Sequence, residues 1–242
     1  MHSPNPVRLI AKVSIFNGVA FQTRQYQPQI YLGDPINICN VLSDQGCQEI
    51  NLVFPHAPPG LDKIARILSV SRAPTAVGGY GTDIKTIENL MNSGAEKIII
   101  SDSLWFNPRS IEKLADHIGD QAISCSVDYR VKNGKRLVVA GPNRDQEIGQ
   151  LEELVQSLPS LRFGEIILSC ISSDGSRSGL DLDIVSSVST TKSLLLSGGY
   201  NDESLENFSA DGVVCSTAMF LYGGLNAPLT HYPNQYRVNA SV

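Results

Sequence analysis

The sequence predicts a single (βα)8 barrel, and three observations carry that expectation. Eight short apolar runs alternate with amphipathic stretches along the chain. The runs are continuously apolar, as strands of a parallel sheet buried on both faces must be. The second half of the chain also repeats the first. A length of 242 residues suits one such barrel, which typically takes about 250. The same alternation leaves an open, doubly wound sheet as the alternative architecture.

The expected strands lie near 7–14 (VRLIAKVS), 49–54 (EINLVF), 74–78 (PTAVG), 97–101 (KIIIS), 121–128 (QAISCSVD), 164–171, 192–197 (KSLLLS) and 211–216 (DGVVCS). Each is short and rich in branched aliphatic residues. Asp34-Pro35 opens a helix that Gly46 closes, and Thr82 or Asp83 opens another that ends at Gly94. Asn107-Pro108 begins a helix ending at Gly119, and Asp145 begins one expected to run to about Ser157. The helices after the sixth and seventh strands are expected to be short.

GAEKIIISDSLWF (94–106) aligns without a gap on SADGVVCSTAMFL (209–221), and AVGGYGTD (76–83) on LSGGYNDE (196–203). Glu49 opens its strand as Glu165 opens another, and KVSIFNG (12–18) echoes SVDYRVKNG (126–134). Four correspondences in one order argue for two half-barrels, about 7–120 and 121–222, within one domain spanning 1–242 and ending in an irregular tail at 223–242.

Composition bounds the chemistry. The net charge is −5 without a basic cluster, which argues against nucleic acid or anionic membrane as partners. No apolar run approaches the ~18 residues of a membrane span, and MHSPNPVRLIAK has no signal-peptide core, so a cytoplasmic protein is expected. The cysteines at 39, 47, 125, 170 and 215 are scattered and odd in number, which reads as buried thiols and not as a zinc site or disulfide frame. No metal or other cofactor is expected.

The richest stretch is FGEIILSCISSDGSRSGLD (163–181), a strand emptying into a small, polar loop, with Asp181 offered as N-cap of the next element. Asp174 and Gly175 lie in that loop. Gly198-Gly199 follows Ser197, and Ser216-Thr217 ends the last run. Barrels most often hold phosphate on their last two loops, and these positions offer amides and hydroxyls for it. The alternative is that the glycines merely shape turns. In the first half, Gly78-Gly79 is followed by the bulk of Tyr80, and Asp102 stands where the repeat has Thr217. A phosphate at that end is not expected. Asp128 ends the fifth run, as a general acid or base would, or as a solvated turn residue. Its repeat counterpart is Ser14, which offers only a hydroxyl. Arg8, Glu49, Lys97 and Glu165 open their strands, so they form either a ring of ion pairs on the barrel floor or ordinary surface pairs.

These residues resemble the cyclase subunit family of imidazole glycerol phosphate synthase. RLIAKVSIFNG, YLGDP, PTAVGGYG, GAEKIIIS, NPRSIEKLADHIGDQAISCSVD, the DGSRSG loop and LLLSGG follow in the family's order from residue 7 to about 222. The resemblance implies a ribulose-phosphate-binding barrel with no cofactor, a glutaminase docking on the N-terminal face, and ammonia passing a gate formed by Arg8, Glu49, Lys97 and Glu165. It implies two catalytic aspartates; Asp128 matches one, and Ser14 replaces the other. Gln22 stands where a substrate-binding lysine is expected, and Phe54 where an aspartate is expected. YLGDPINICNVLSD, Ser14 and the tail APLTHYP resemble a branch associated with sugar acetamidino modification, which implies a sugar amidotransferase as a further partner. Three readings follow: an ammonia-conducting subunit for a phosphorylated or nucleotide-linked substrate, a histidine-pathway cyclase, or a scaffold that activates a glutaminase.

Overall fold

The computed structural model describes residues 7–56, 58–188, 190–201 and 209–216. Eight parallel strands close into a barrel: β1 (Arg8–Phe16), β4 (Glu49–Val53), β5 (Thr75–Gly78), β6 (Lys97–Ile100), β7 (Ile123–Lys132), β10 (Glu165–Cys170), β11 (Ser193–Ser197) and β12 (Gly212–Cys215). Closure comes from β7 pairing with β10, with Ile166 opposite Cys125, and from β12 pairing with β1. The expected strands fall on these elements, and the open sheet is excluded.

The described helices of the outer layer are α1 (Pro35–Asp44), α2 (Leu61–Leu68), α3 (Ile84–Asn92), α4 (Ser103–Phe106), α5 (Pro108–Ile118) and α6 (Leu151–Leu154). Asp34 caps α1 through its carboxylate on the Ile36 amide, and Asp83 caps α3 on the Thr86 amide.

Two antiparallel hairpins, absent from the sequence reading, rise from the barrel mouth. The first is β1 continuing into β2 (Val19–Arg24) and β3 (Gln27–Gly33). The second is β7 continuing into β8 (Lys135–Ala140) and β9 (Gln146–Gln150). Asn17-Gly18 and Asn133-Gly134 make the turns, all four residues having positive φ, the turn chemistry that two-residue hairpins favour.

The second hairpin corrects the helix expected from Asp145 to Ser157. Residues 146–150 pair with β8 instead, Gly149 opposite Val138, and only the four residues of α6 are α-helical. Tertiary pairing overrides a helical pattern there. Asp181 is also corrected as an N-cap. It precedes a 3-10 turn at Leu182–Ser187 without capping it, because Arg136 and Tyr129 occupy its carboxylate.

Side chains alternate strictly along the barrel strands. On β1, Leu9, Ala11, Val13 and Ile15 face the core shared with the helices. Arg8, Ile10, Lys12 and Ser14 have the opposite parity. Ile10 packs with Ala76, Ile99, Ile167, Leu195 and Val214 into a separate apolar layer across the barrel axis. Arg8 lies below that layer with Glu49, Lys97 and Glu165, and Lys12, Ser14 and Asp128 lie above it.

Close backbone packing at the mouth demands glycine. Gly198 has φ +99, and a Cβ there would come within 2.3 Å of the Cys170 carbonyl oxygen. Gly198→Ala is therefore expected to destabilise the protein by at least ~2 kcal/mol in urea unfolding. A change within ~0.5 kcal/mol, ordinary for a surface site, would contradict this packing.

Candidate functional site at the barrel mouth

The carboxyl ends of the strands surround a cavity of about 350 Å³. Lys12, Ser14, Asn51, Ser101, Asp128, Ser169 and Ser197 line it, joined by Tyr26 from the first hairpin and Arg144 from the second. Ser14 and Asp128, placed together by the sequence repeat, share this cavity, and both are buried.

Asp128 is heavily engaged. Its carboxylate accepts from Tyr26 Oη at 3.0 Å, Ser126 Oγ at 3.0 Å, Ser101 Oγ at 3.3 Å and Arg144 Nε at 2.7 Å. Arg144 also donates to Asp102 at 3.0 Å, and the Gly141 amide supports Asp102 at 3.3 Å. The carboxylate expected to repel an anion in the first half is thus bridged to Asp128 by a guanidinium. Burial, then the charges of Asp128 and Asp174, hold the Tyr26 phenol well above its usual range, so it keeps its proton.

The first-half glycines pack against bulk. A Cβ on Gly79 would sit 2.7 Å from the Phe54 carbonyl oxygen, and one on Gly78 would press on Ile99. Phe54 meets Tyr80 edge to face at 5.7 Å, and Tyr80 Oη donates to the Pro59 carbonyl.

The second half holds a separate, small pocket of about 20 Å³. Gly175, Ser197, Gly198, Gly199 and Ser216 meet there as the sequence expects, while Thr217 and the APLTHYP tail lie outside the described residues. The Ser216 hydroxyl is buried with no hydrogen-bond partner among the described residues. This pocket also contains charges: Asp174, expected there from the sequence, is joined by cations. Lys12 and Arg177 line it, and Lys12 Nζ donates to Asp174 at 2.8 Å.

Asp174 ties the pocket to the first hairpin. It also accepts from Thr23 Oγ1 at 2.7 Å and the Tyr26 amide at 3.1 Å, and its carbonyl accepts from the Gln25 amide. Burial opposes the charge on Asp174, but Lys12 and these donors outweigh it and hold the carboxyl below its usual range. Gln22 stays on the hairpin, donating to the Thr23 carbonyl.

The floor residues converge at the opposite end. Arg8 donates to both oxygens of Glu49 at 2.5 Å and to Glu165 at 3.0 Å, and Lys97 donates to Glu165 at 2.7 Å. Ser124 adds a further donor to Glu165 at 2.5 Å. The four charges thus form one chain of pairs, ruling out four separate surface pairs. From Arg8 to Ser14 the strand rises roughly 20 Å, so floor and mouth are separate.

Tyr26, Arg144 and Lys12 were missed from sequence. Tyr26 and Arg144 arrive on hairpin loops, and no local pattern announces them. Lys12 did have a signal: a lone lysine in an apolar strand, two residues from Ile10 and Ser14 on the inward parity.

The family described as "Histidine biosynthesis protein" matches residues 8–223. A Leptospira borgpetersenii protein provisionally named imidazole glycerol phosphate synthase subunit HisF is 28% identical over 232 residues, covering 90% of this chain and 91% of that protein. The imidazole glycerol phosphate synthase subunit HisF of Bacillus cereus (strain G9842) is 29% identical over 205 residues, covering 79% and 81%. A provisionally named subunit of the same synthase in Vibrio vulnificus (strain YJ016) is 27% identical over 248 residues, covering 95% and 92%.

The floor network makes stability depend on acid. Burial disfavours the Glu165 charge, yet Lys97, Ser124 and Arg8 together hold its carboxyl below the ordinary 4.5. A depressed carboxylate stabilises the fold fully above its unfolded value, and that contribution is lost as pH falls through the folded one. Unfolding free energy should therefore fall as pH drops below about 5, and Glu165→Gln should flatten part of that slope. An unchanged slope in Glu165→Gln would show that the floor pairs do not set it.

Proposed function

Since this chain belongs to the histidine biosynthesis protein family, we propose that it is the cyclase-like, synthase-side subunit of a glutamine-dependent complex. In this reading a glutaminase docks beneath the floor, and ammonia crosses the barrel to a phosphorylated substrate in the mouth. The observation that carries the reading is the order of layers along the axis. A paired but partly exposed set of charges is followed by an apolar layer and then by a polar cavity. Neutral ammonia crosses an apolar layer far more readily than ammonium, because an ion loses its hydration there.

Arg8 bridges Glu49 and Glu165 and leaves Lys97 at the end of the chain of pairs. Unlinking Lys97 from Glu165 opens the floor without breaking the Arg8 pairs. In the mouth, Asp128 with its Tyr26 and Arg144 donors orients the substrate's reacting end, and the pocket at Gly175, Ser197–Gly199 and Ser216 takes its phosphate. The names of the relatives point to imidazole ring closure as a second reading. A ligand phosphorylated at both ends fits poorly, because Phe54 and the Asp102 carboxylate line the first-half side of the large cavity, where a second phosphate would sit. Ser14 also cannot act as a carboxylate base. A single-phosphate or nucleotide-linked acceptor, such as a sugar derivative receiving an amidino nitrogen, fits better. The scaffold reading has no use for a buried Ser216 hydroxyl that has no partner among the described residues.

The test is glutamine hydrolysis by the cognate glutaminase with and without this chain. The wild-type barrel should raise hydrolysis. Glu49→Lys, which sets a third cation against Arg8 at the docking face, should reduce that stimulation about tenfold or more, since like charges at an interface cost several kcal/mol. Equal stimulation by both, or none by the wild type, would overturn the docking face.

A further inference from the structure

Lys12 stands on the wall between the two mouth pockets and lines both. It is 7% exposed, and its ammonium has two neighbours: the Asp174 carboxylate at 2.8 Å and the face of the Tyr26 ring at 5.1 Å. Each ammonium carries three donors, so a further one is available to a ligand. The small pocket is also lined by Ser216, whose hydroxyl is buried and without a partner among the described residues. A buried lysine, a buried hydroxyl without a partner among the described residues, and three glycines thus line one pocket, the donor set an anion needs.

We propose that Lys12 is the specificity-determining cation of the mouth, binding the phosphate of a phosphate monoester seated between Gly198-Gly199 and Ser216. This rests on the phosphate-pocket part of the function proposed above and not on ammonia delivery. Lys12 and Asp174 together are neutral, so the pair alone attracts no dianion from a distance. The attraction is local. Phosphate oxygens gain a charge-assisted hydrogen bond, while Asp174 keeps Thr23 Oγ1 and the Tyr26 amide as donors. Because Asp174 also secures Tyr26, whose hydroxyl donates to Asp128, the same lysine links the phosphate end of a substrate to its reacting end.

Charge balance gives a test whose signs a merely structural lysine would not reproduce. Inorganic phosphate is titrated into the full chain by calorimetry, with folding checked by circular dichroism. Asp174→Asn removes the competing carboxylate, so phosphate should bind more tightly than to the wild type. The double substitution Lys12→Met with Asp174→Asn removes both buried charges together, which is tolerated where Lys12→Met alone would strand Asp174. It should bind phosphate about tenfold or more weakly than Asp174→Asn alone, the usual loss for a hydrogen bond to a charged group. Equal affinity in the single and double variants, or no saturable binding by the wild type, overturns the proposal. Glutaminase stimulation in the same preparations is read separately, so failure of ammonia coupling and failure of the phosphate site are told apart.

Discussion

The mouth of this barrel depends on pairing charges that lie out of water. An unpaired buried charge costs ~3–5 kcal/mol when its partner is lost, and the chain meets that constraint with one connected network. Lys12 holds Asp174, Asp174 holds the hairpin tip at Thr23 and Tyr26, Tyr26 reaches Asp128, and Arg144 joins Asp128 to Asp102. Members come from two barrel strands, two hairpins and two loops. The hairpins are consequently fixed over the cavity. Their tips use strained backbone to do so: Gln25, Tyr26 and Arg144 all have positive φ without being glycine, a cost that ordered contacts must offset.

The two sides of the barrel mouth are built differently. In the second, Gly175, Gly198 and Gly199 allow backbone segments to approach so closely that any Cβ would clash. A small pocket with amides, a hydroxyl and a lysine results. In the first, Gly78 and Gly79 line the large cavity beside Phe54, and Asp102 is bound by Arg144. The first-half end is therefore a wide, acid-lined part of the large cavity, and the second-half end a small, glycine-walled pocket.

Much of this was legible in the chain because parity and strand order are local properties. Continuous apolar runs gave the strands, and Arg8, Glu49, Lys97 and Glu165 at strand starts gave the floor. Asn17-Gly18 and Asn133-Gly134 are strong hairpin turns, yet the strands beyond them were hidden because β3 is largely exposed and β9 mimics a helix start at Asp145. The engagement of Asp128 could not be read locally. Its donors are up to 102 residues away in sequence and meet it only once the hairpins fold over. Lys12 was available to a stricter reading of inward parity.

Ammonia is proposed to travel along the barrel axis from a docked glutaminase to the mouth. Isotope competition tests this most directly. The glutaminase–barrel complex is given glutamine labelled with 15N at the amide, in the presence of excess unlabelled ammonium and the aminated or amidated acceptor's precursor. Passage through the apolar layer predicts product that retains mostly 15N, and less of it when Ile99→Trp fills that layer. Product carrying the nitrogen of the bulk ammonium pool, with or without the substitution, would contradict the account.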